Sequence, residues 1–288
     1  MKLFTFLKFF NIKLEDYLLK RKDSIIKEKQ LFIQKTVDPH LLDDFFLNIK
    51  PYSTDKKLVR IGFVSLGGNG DGSYLVPDDL EGIKTCFSPG TFNLANFEED
   101  LAQNYGIKTF MADFSVDAPP IKNNHFHFIK KFIGFENKNN FISFEKWVTE
   151  FSDPEDNNLI LQMDIEGGEY DVLIDTSKEL MKRFRILVIE FHNFNSIFST
   201  TGFTLINACF MKLKQDFEIV HIHPNNTSCL VEYEDFIVPE VIELTFLRKD
   251  RICKKNETKF FPHELDSRND FSRKDVILPE CFYKKKGH

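Results

Sequence analysis

Apolar and polar positions follow two rhythms along the chain, which separate an N-terminal helical part from a longer mixed part. In residues 1–57, apolar positions recur at helical spacing and predict amphipathic helices. The first of these positions are Phe4, Leu7, Phe10 and Leu14. Asp38 precedes Pro39, which is the usual order of an N-cap and a first helical position. A further helix is therefore predicted to begin at Pro39.

From residue 58 onward, short apolar runs typical of strands alternate with segments of helical periodicity. The first two runs, LVRIGF and SYLV, flank the glycine-rich stretch GGNGDG and predict a β-hairpin. This stretch also matches a phosphate-binding loop loosely. Such a loop must open a helix, however, and here a strand-like run follows, so a hairpin turn is the better interpretation.

The alternation after the hairpin predicts an α/β fold, namely a doubly wound, mostly parallel, Rossmann-like sheet with helices on both faces. We expect three parts: an N-terminal helical extension at 1–57, the α/β domain at 58–255, and a C-terminal tail at 256–288 that lacks clear periodicity. The N-terminal helices are expected to pack on the domain, on a second copy in a homodimer, or on a membrane surface.

Composition and charge narrow the classes of protein. The 288 residues are 42% hydrophobic, which is enough for a sizeable core. A net charge of -6 disfavours a nucleic-acid partner. The five cysteines show no C-x-x-C spacing, which favours a reducing, cytoplasmic location over a zinc ribbon or a disulfide framework. No run reaches the roughly 18 apolar residues that span a bilayer, so we expect no stable membrane insertion.

Polar residues directly follow several of the predicted strands. Ligands of open α/β sheets bind at the carboxyl ends of strands, and buried polar groups need partners, so these residues are candidate site residues. The candidates comprise these polar residues and their neighbours at the strand ends. In strand order they are Phe87, Ser88 and Gly90; Asp113 and Phe114; Asp164 and Glu166; Glu190 and His192; and His221 and His223. Asp113 would accept both hydroxyls of a ribose if the pocket holds a nucleotide, or act as a helix cap or surface acid otherwise.

Several of these segments resemble, in the same order, the FkbM-type methyltransferases, which depend on S-adenosylmethionine (SAM). DIEGGEYDVL, residues 164–173, resembles the acidic segment of that family. CFSPGTFNLANFEEDLA resembles its glycine turn, and VIEFH and HIHPNN resemble two later strands. The likeness extends over residues 58–250 and implies a class I methyltransferase sheet. The usual glycine motif of such sheets is reduced here to Ser88-Pro89-Gly90.

This resemblance implies where SAM would lie. Its methionine part is expected near Phe87, Ser88 and Gly90, where a residue without Cβ lets a ligand approach closely. Its ribose is expected near Asp113 and Phe114, and its sulfonium near Asp164. Gly167 and Gly168 would allow a tight turn. Glu169 and Asp171 would begin a helix as structural residues at the positive end of its dipole.

The expected reaction is O-methylation, which needs a group that removes a proton from the acceptor hydroxyl. His192 is the leading general base, and Asp164 and Glu166 are the acids expected beside it. Two alternatives stay open. Asp164, Glu190 and His192 could bind a divalent metal, or His221 and His223, on one face of a strand, could supply the base or ligands. These histidines could also be hydrogen-bonded packing residues.

Three functions compete at this point. The first is SAM-dependent O-methylation of a small-molecule or saccharide hydroxyl, with a nucleotide-activated sugar of capsule or surface polysaccharide biosynthesis implied by the resemblance. The second is a metal-dependent glycosyltransferase, because Asp164-Ile165-Glu166 is similar to an acidic clamp for a nucleotide diphosphate. The third is a catalytically silent binding module on the same fold.

Overall fold

The computed structural model describes residues 36–62 and 70–284. The strands are β1 (Tyr52–Thr54), β2 (Leu58–Ile61), β3 (Tyr74–Pro77), β4 (Thr85–Pro89), β5 (Lys108–Ala112), β6 (Phe126–Ile129), β7 (Phe132–Gly134), β8 (Phe141–Ser143), β9 (Leu159–Met163), β10 (Phe184–Phe191), β11 (Phe217–Pro224), β12 (Leu230–Tyr233), β13 (Phe236–Pro239), β14 (Ile242–Arg248) and β15 (Lys255–Glu257). The helix predicted around Phe4 and Leu7, and with it the homodimer expected through the N-terminal helices, lies outside the described residues.

The α-helices are α1 (Pro39–Asn48), α2 (Asn96–Tyr105), α3 (Phe144–Phe151), α4 (Glu169–Asp175), α5 (Lys178–Met181) and α6 (Thr200–Asp216). Short 3-10 turns occur at Phe194–Phe198, Lys249–Arg251 and Glu280–Phe282. Helix α1 begins as predicted, because the Asp38 side chain accepts from the backbone N–H of His40 and proline follows it. Among the described residues, no helix is long and apolar enough to cross a membrane.

A seven-stranded sheet forms the centre of the described structure, with the order β11-β14-β10-β9-β4-β5-β6. The strands from β10 to β6 run parallel, whereas β14 is antiparallel to both of its neighbours, β10 and β11. The strand order reverses direction along the chain at β4 and β9, which is where ligands bind in open α/β sheets. The predicted α/β, Rossmann-like and mostly parallel sheet is confirmed.

Apolar side chains cover both faces of this sheet, as its doubly wound arrangement requires. Helices α1, α3, α4 and α6 pack on one face, where the rings of Phe87 and Trp147 lie 5.0 Å apart in the core. The hairpin β2–β3 and helix α2 cover the other face, through residues such as Tyr74 and Phe97. Burying each large aromatic side chain contributes about 2–3 kcal/mol. The hairpin also places residues 71–74 over the carboxyl ends of the strands.

The helix expected to begin at Glu169 is short, and the structure shows two short helices, α4 and α5, where the apolar pattern continues. Ser177 caps α5 by accepting from the N–H of Leu180, and Glu145 accepts from both the N–H and the hydroxyl of Ser177. Serine competes for backbone groups in this way, so it ends a helix more readily than the apolar pattern suggests.

The segment after residue 255 packs against the sheet. Strand β15 pairs antiparallel with β1, and the Asn226 side chain exchanges hydrogen bonds of 2.9 Å with the backbone of Asp270. One compact unit comprises Val37–His288. These contacts bring two polar residues, Asp266 and Asn269, to the ends of β11 and β14.

Candidate active site

A close backbone crossing joins the ends of β4 and β9. Gly90 has φ +89°, and a Cβ on it would lie 1.5 Å from the carbonyl oxygen of Asp164. The N–H of Asp164 donates to Pro89 O at 3.2 Å, and the N–H of Gly90 donates to Ala112 O at 3.0 Å. The need for glycine at this position therefore comes from the protein's own backbone, whereas the sequence suggested close approach of a ligand.

Asp113 holds the loop that follows Gly90. Its Oδ2 accepts from the N–H of Phe92 at 2.8 Å, and its Oδ1 accepts from the N–H and hydroxyl of Ser115 at 2.7 and 2.6 Å. Each carboxylate oxygen can accept two hydrogen bonds, so Oδ2 keeps one acceptor position beyond this bond. The ring of Phe114, the next residue, lies 5.1 Å from that of Phe132. The ribose role of Asp113 stays a prediction.

Glu169 connects the turn after β9 to His192. It is fully buried, and its Oε1 accepts from the N–H groups of Ile165 and Gly167 and contacts Nδ1 of His192, each at 3.1 Å. Gly167 has φ +106°, which a residue with a side chain rarely adopts. The sequence assigned Glu169 only to the start of a helix, and its contact with His192 depends on the pairing of β9 with β10.

Three further carboxylates surround the other ring nitrogen of His192. Its Nε2 lies 3.5 Å from Glu166 Oε2 and 3.8 Å from both Asp164 Oδ1 and Glu190 Oε1. Burial disfavours the charged ring, but the hydrogen bond to Glu169 and the surrounding negative charges outweigh burial and raise the pKa of His192. The imidazole is thus oriented through Nδ1 and presents Nε2 to a group of acids.

The acids at the strand ends are largely buried, which favours their neutral forms. Burial, opposed by His192 and reinforced by Glu166, raises the pKa of Asp164 to about 7. Burial also raises the pKa of Glu98 to about 7 and that of Glu243 to about 8. The pKa of Glu190 is likewise raised, by burial and by its acidic neighbours. Such shifts are concentrated at functional sites.

A cleft of about 570 Å³, counting its open mouth, lies between these acids, the loop after Gly90 and the N-terminal end of α2. This is a typical size for a small-molecule site. The acidic residues that line it are Asp71, Glu98, Asp164 and Glu166. Among the described residues that line it, none is a lysine or an arginine. Two buried oxygens in it, Thr91 Oγ1 and Asp164 Oδ1, have no hydrogen-bond partner among the described residues.

This lining fits SAM, which carries positive charge on its sulfonium and its amino group. Carboxylates stabilise both charges, and the unpartnered oxygens of Thr91 and Asp164 are available to a bound ligand. Gly90 and Asp164, expected near the cofactor, line the cleft. Ser88 does not line it, but its hydroxyl lies within hydrogen-bond distance of the side-chain oxygens of Glu98 and Gln162 in the cleft wall. Phe87 packs in the opposite core, 5.3 Å from the ring of Phe110.

The structure divides the predicted histidines between two clusters. Ligand atoms of Asp164, Glu166 and His192 lie within 4.8 Å of one another, so this trio could hold a metal ion. The sequence suggested Glu190 as the third member of this candidate metal site, whereas the structure groups Glu166 with Asp164 and His192. Glu190 Oε1 accepts from the side-chain amide of Asn225 at 2.9 Å. The second cluster is separate from the lining of the cleft and consists of His221, His223 and Asp266.

Sequence reasoning missed Glu98, Asp266 and Asn269. Glu98 lies inside a recognisable helical segment, and its burial beside Ser88 follows from the packing of α2 on the sheet. Asn269 donates to Glu243 at the end of β14, and Asp266 lies beside His221. Both come from a segment without periodicity, so no local pattern predicts where they lie.

The strand order and the acidic cleft define a Rossmann-like sheet whose switch point is suited to a cationic ligand. Residues 87–222 match the methyltransferase FkbM domain family. The resemblance predicted from the sequence is thereby confirmed for these residues, which match a methyltransferase domain of the FkbM type. Comparison with curated proteins found no match.

Several solved structures are similar to this chain at low identity. A fibrillarin/Nop5p complex shows 11% identity over 59% of this chain and 74% of that chain, with a TM-score of 0.36. TrmK of M. capricolum, in complex with S-adenosyl-homocysteine, shows 10% identity over 58% and 63% of the two chains, with a TM-score of 0.31. Precorrin-6y C5,15-methyltransferase from Geobacter metallireducens GS-15 shows 9% identity over 59% and 84%, also at 0.31. Likenesses this distant do not define the reaction.

Proposed function

We propose that this protein is a SAM-dependent O-methyltransferase that methylates a hydroxyl of a saccharide, with His192 as the general base. The observation that carries this proposal is the hydrogen bond between His192 Nδ1 and Glu169, which leaves Nε2 directed toward Asp164 and Glu166 at the cleft. A base must be held within reach of the proton that it removes, and a buried acid on the opposite nitrogen holds an imidazole in this way.

When bound, SAM supplies an electrophilic methyl group. The chain's own contribution is to align the acceptor oxygen and to remove its proton. The proton passes from the hydroxyl to Nε2 of His192 as the new carbon–oxygen bond forms, and the imidazolium is stabilised by Glu169 and the surrounding acids. Because these acids raise the pKa of His192, catalysis requires a pH high enough to deprotonate the ring.

The acceptor is argued from the chemistry of the cleft mouth. The Glu166 side chain is largely exposed there and Asp164 is partly exposed, so both can accept hydrogen bonds from neighbouring hydroxyls. A sugar offers several hydroxyls in fixed positions, which suits this pair. The resemblance to FkbM-type enzymes further favours a nucleotide-activated saccharide of capsule or surface polysaccharide biosynthesis, and hence a cytoplasmic enzyme.

A metal-assisted version of the same reaction is favoured by a specific observation, the convergence of Asp164, Glu166 and His192. A divalent ion on these three would acidify a sugar diol directly and would replace the histidine as the activating group. The two versions differ in metal dependence, since chelation abolishes the metal-assisted reaction and leaves the histidine-dependent one intact. The glycosyltransferase alternative loses support, because the matched family is one of methyltransferases.

The test is mass spectrometry of free and nucleotide-linked saccharides incubated with the enzyme and SAM, scored for a methyl-sized gain in mass. We expect His192→Gln to lower kcat by roughly 10²–10⁴-fold while SAM binding by calorimetry is retained. The exposed His40 serves as the control, and His40→Gln should retain full activity. Undiminished turnover by His192→Gln would exclude the base, and methylation of amines but no hydroxyl would exclude O-transfer.

A further inference from the structure

A second group of polar side chains lies apart from the methyltransferase cleft, at the edge of the sheet that β11 forms. His221 and His223 alternate on β11 and therefore project from the same face, where the C-terminal segment places Asp266 against them. All three side chains are at least nine-tenths buried. The proposed methyl transfer uses none of them.

The distances within this cluster are those of atoms around a common centre. Asp266 Oδ1 lies 2.9 Å from His221 Nε2 and 3.8 Å from His223 Nδ1, and the ligand atoms of the trio lie within 4.8 Å of one another. Nitrogen and oxygen ligands of a tetrahedral zinc ion, at about 2.0–2.1 Å from it, are separated by about 3.4 Å. The two separations measured from Asp266 Oδ1 bracket this value.

The hydrogen bonding of the cluster is incomplete without a further atom. Nε2 of His221, the ring nitrogen that faces Asp266 Oδ1, is buried and has no hydrogen-bond partner among the described residues. His221 Nε2 is close to Asp266 Oδ1 but is not aligned with it for a hydrogen bond. Buried ring nitrogens without partners are costly, and a metal ion is one species that satisfies a lone pair of this kind.

We propose that His221, His223 and Asp266 bind a divalent transition-metal ion of the Zn²⁺ class, with water in the fourth position. Two imidazoles and one carboxylate suit Zn²⁺, whereas Mg²⁺ and Ca²⁺ prefer sets made of oxygen alone. Asp266 is already oriented, because its Oδ2 accepts from the N–H of His263 at 2.7 Å. Such outer contacts are typical of metal-ligating residues.

Two charged residues adjoin the cluster and bear on its affinity for a cation. Glu243, opposite His223 in the sheet register, adds a carboxyl group on one side. Arg60 lies on the other side, where its guanidinium donates to the Ser73 hydroxyl and to the carbonyl of Leu265. The carboxyl groups of Asp266 and Glu243 favour a bound cation, whereas the positive charge of Arg60 opposes it.

The position of the ion indicates a structural role. The ion would join a strand of the central sheet to the C-terminal segment 263–270. Other contacts of this segment with the rest of the protein include the hydrogen bonds of Asn226 with Asp270 and of Asn269 with Glu243. The side-chain amide of Asn269, in the same segment, donates the hydrogen bond that Glu243 accepts. A bound ion therefore stabilises the folded state by an amount that rises with the logarithm of its concentration over its dissociation constant.

The experiment measures zinc by mass spectrometry in the full-length protein, as purified and after loading with Zn²⁺ and desalting, together with thermal unfolding before and after chelation. We expect a single zinc ion per chain and a lower melting temperature after chelation. His223→Gln and Asp266→Asn should weaken zinc binding by more than the roughly 10–100-fold caused by loss of an outer contact. His192→Gln, which alters only the other candidate cluster, should retain the ion.

Each alternative outcome rejects the proposal. Absence of zinc after loading, with unfolding unaffected by chelation, would leave the cluster as an acid–histidine pair; this arm uses the unmodified protein and does not depend on how the variants fold. Retention of the ion by both His223→Gln and Asp266→Asn would place it elsewhere. Loss of the ion in His192→Gln would assign it to Asp164, Glu166 and His192.

Discussion

At the scale of single residues, Glu169 decides the chemical state of the site. One of its oxygens meets two backbone N–H groups of the turn after β9 and one ring nitrogen of His192. The same carboxylate therefore holds the turn that carries Glu166 and orients the proposed base. Because it is fully buried, its charge acts on the imidazole through a medium of low polarity and is only weakly screened.

The first prediction concerns the pH dependence that Glu169 imposes. Glu169→Gln keeps an oxygen that accepts from Ile165 and Gly167 but removes the negative charge, so the pKa of His192 should fall. A base with a lower pKa is deprotonated at lower pH. The acidic limb of the profile of kcat against pH should therefore move to lower pH, by about one unit.

The control for this measurement is Asp171→Asn. Asp171 is an acid in the first turn of the same helix, is exposed, and has no contact with His192. The Asp171→Asn substitution should leave the profile of kcat against pH at the same position. If Glu169→Gln also leaves the profile in place, His192 is not the group whose ionisation limits the reaction.

At the scale of elements, the crossing of the β4 and β9 ends positions the site. The chain turns at Gly90 directly against the backbone of Asp164, which fixes the acid relative to the loop that lines the cleft. Both segments are strands, as the alternation of apolar runs predicts, and Ser143 caps the nearby helix α3 by accepting from the N–H of Lys146 at 3.3 Å. The predicted glycine turn is found at Gly90, but glycine is required there by the backbone of Asp164 and not by the approach of a ligand.

The second prediction follows from this crossing. Gly90→Ala should destabilise the protein by several kcal/mol, because the new methyl group would overlap a backbone carbonyl that has no free space to move into. Gly106→Ala is the matched control. Gly106 also has a positive φ, +66°, but nothing lies within 4 Å of its added Cβ, so the cost should be about 1–2 kcal/mol. Chemical denaturation measures both, and equal losses would contradict the crossing.

At the scale of the whole molecule, acids from distant parts of the chain share one buried layer at the strand ends. Glu190 and Glu243 are opposite each other in the register of β10 and β14, and each takes a hydrogen bond from an amide, Asn225 and Asn269 respectively. The hairpin β2–β3 and the C-terminal segment exclude water from this layer. Folding therefore favours protonated acids here.

The third prediction is a change of stability with pH caused by this layer. Glu243 has a folded-state pKa of about 8, above its ordinary value of 4.5, so its contribution is fully present below pH 4.5 and is lost as pH rises through 8. Glu243→Gln, which can still accept from Asn269, lacks this titration. Its stability relative to the unmodified protein should rise between pH 5 and 8.5, by on the order of 4 kcal/mol.

Denaturant unfolding at several pH values measures this difference. The control is Glu179→Gln, an exposed acid in the first turn of α5, whose difference from the unmodified protein should not vary over the same range. A difference that is constant with pH for Glu243→Gln as well would show that this carboxyl is ionised throughout.

By itself, the sequence determined the order and type of most elements and which polar residues stand at the strand ends, because burial imposes a local periodicity that is visible along the chain. Only the tertiary structure decided how those residues group. His192 joins Glu169 because β9 and β10 are neighbours, and His221 joins Asp266 because an aperiodic segment returns to the sheet. Such contacts depend on strand order and long-range packing, which no local pattern encodes.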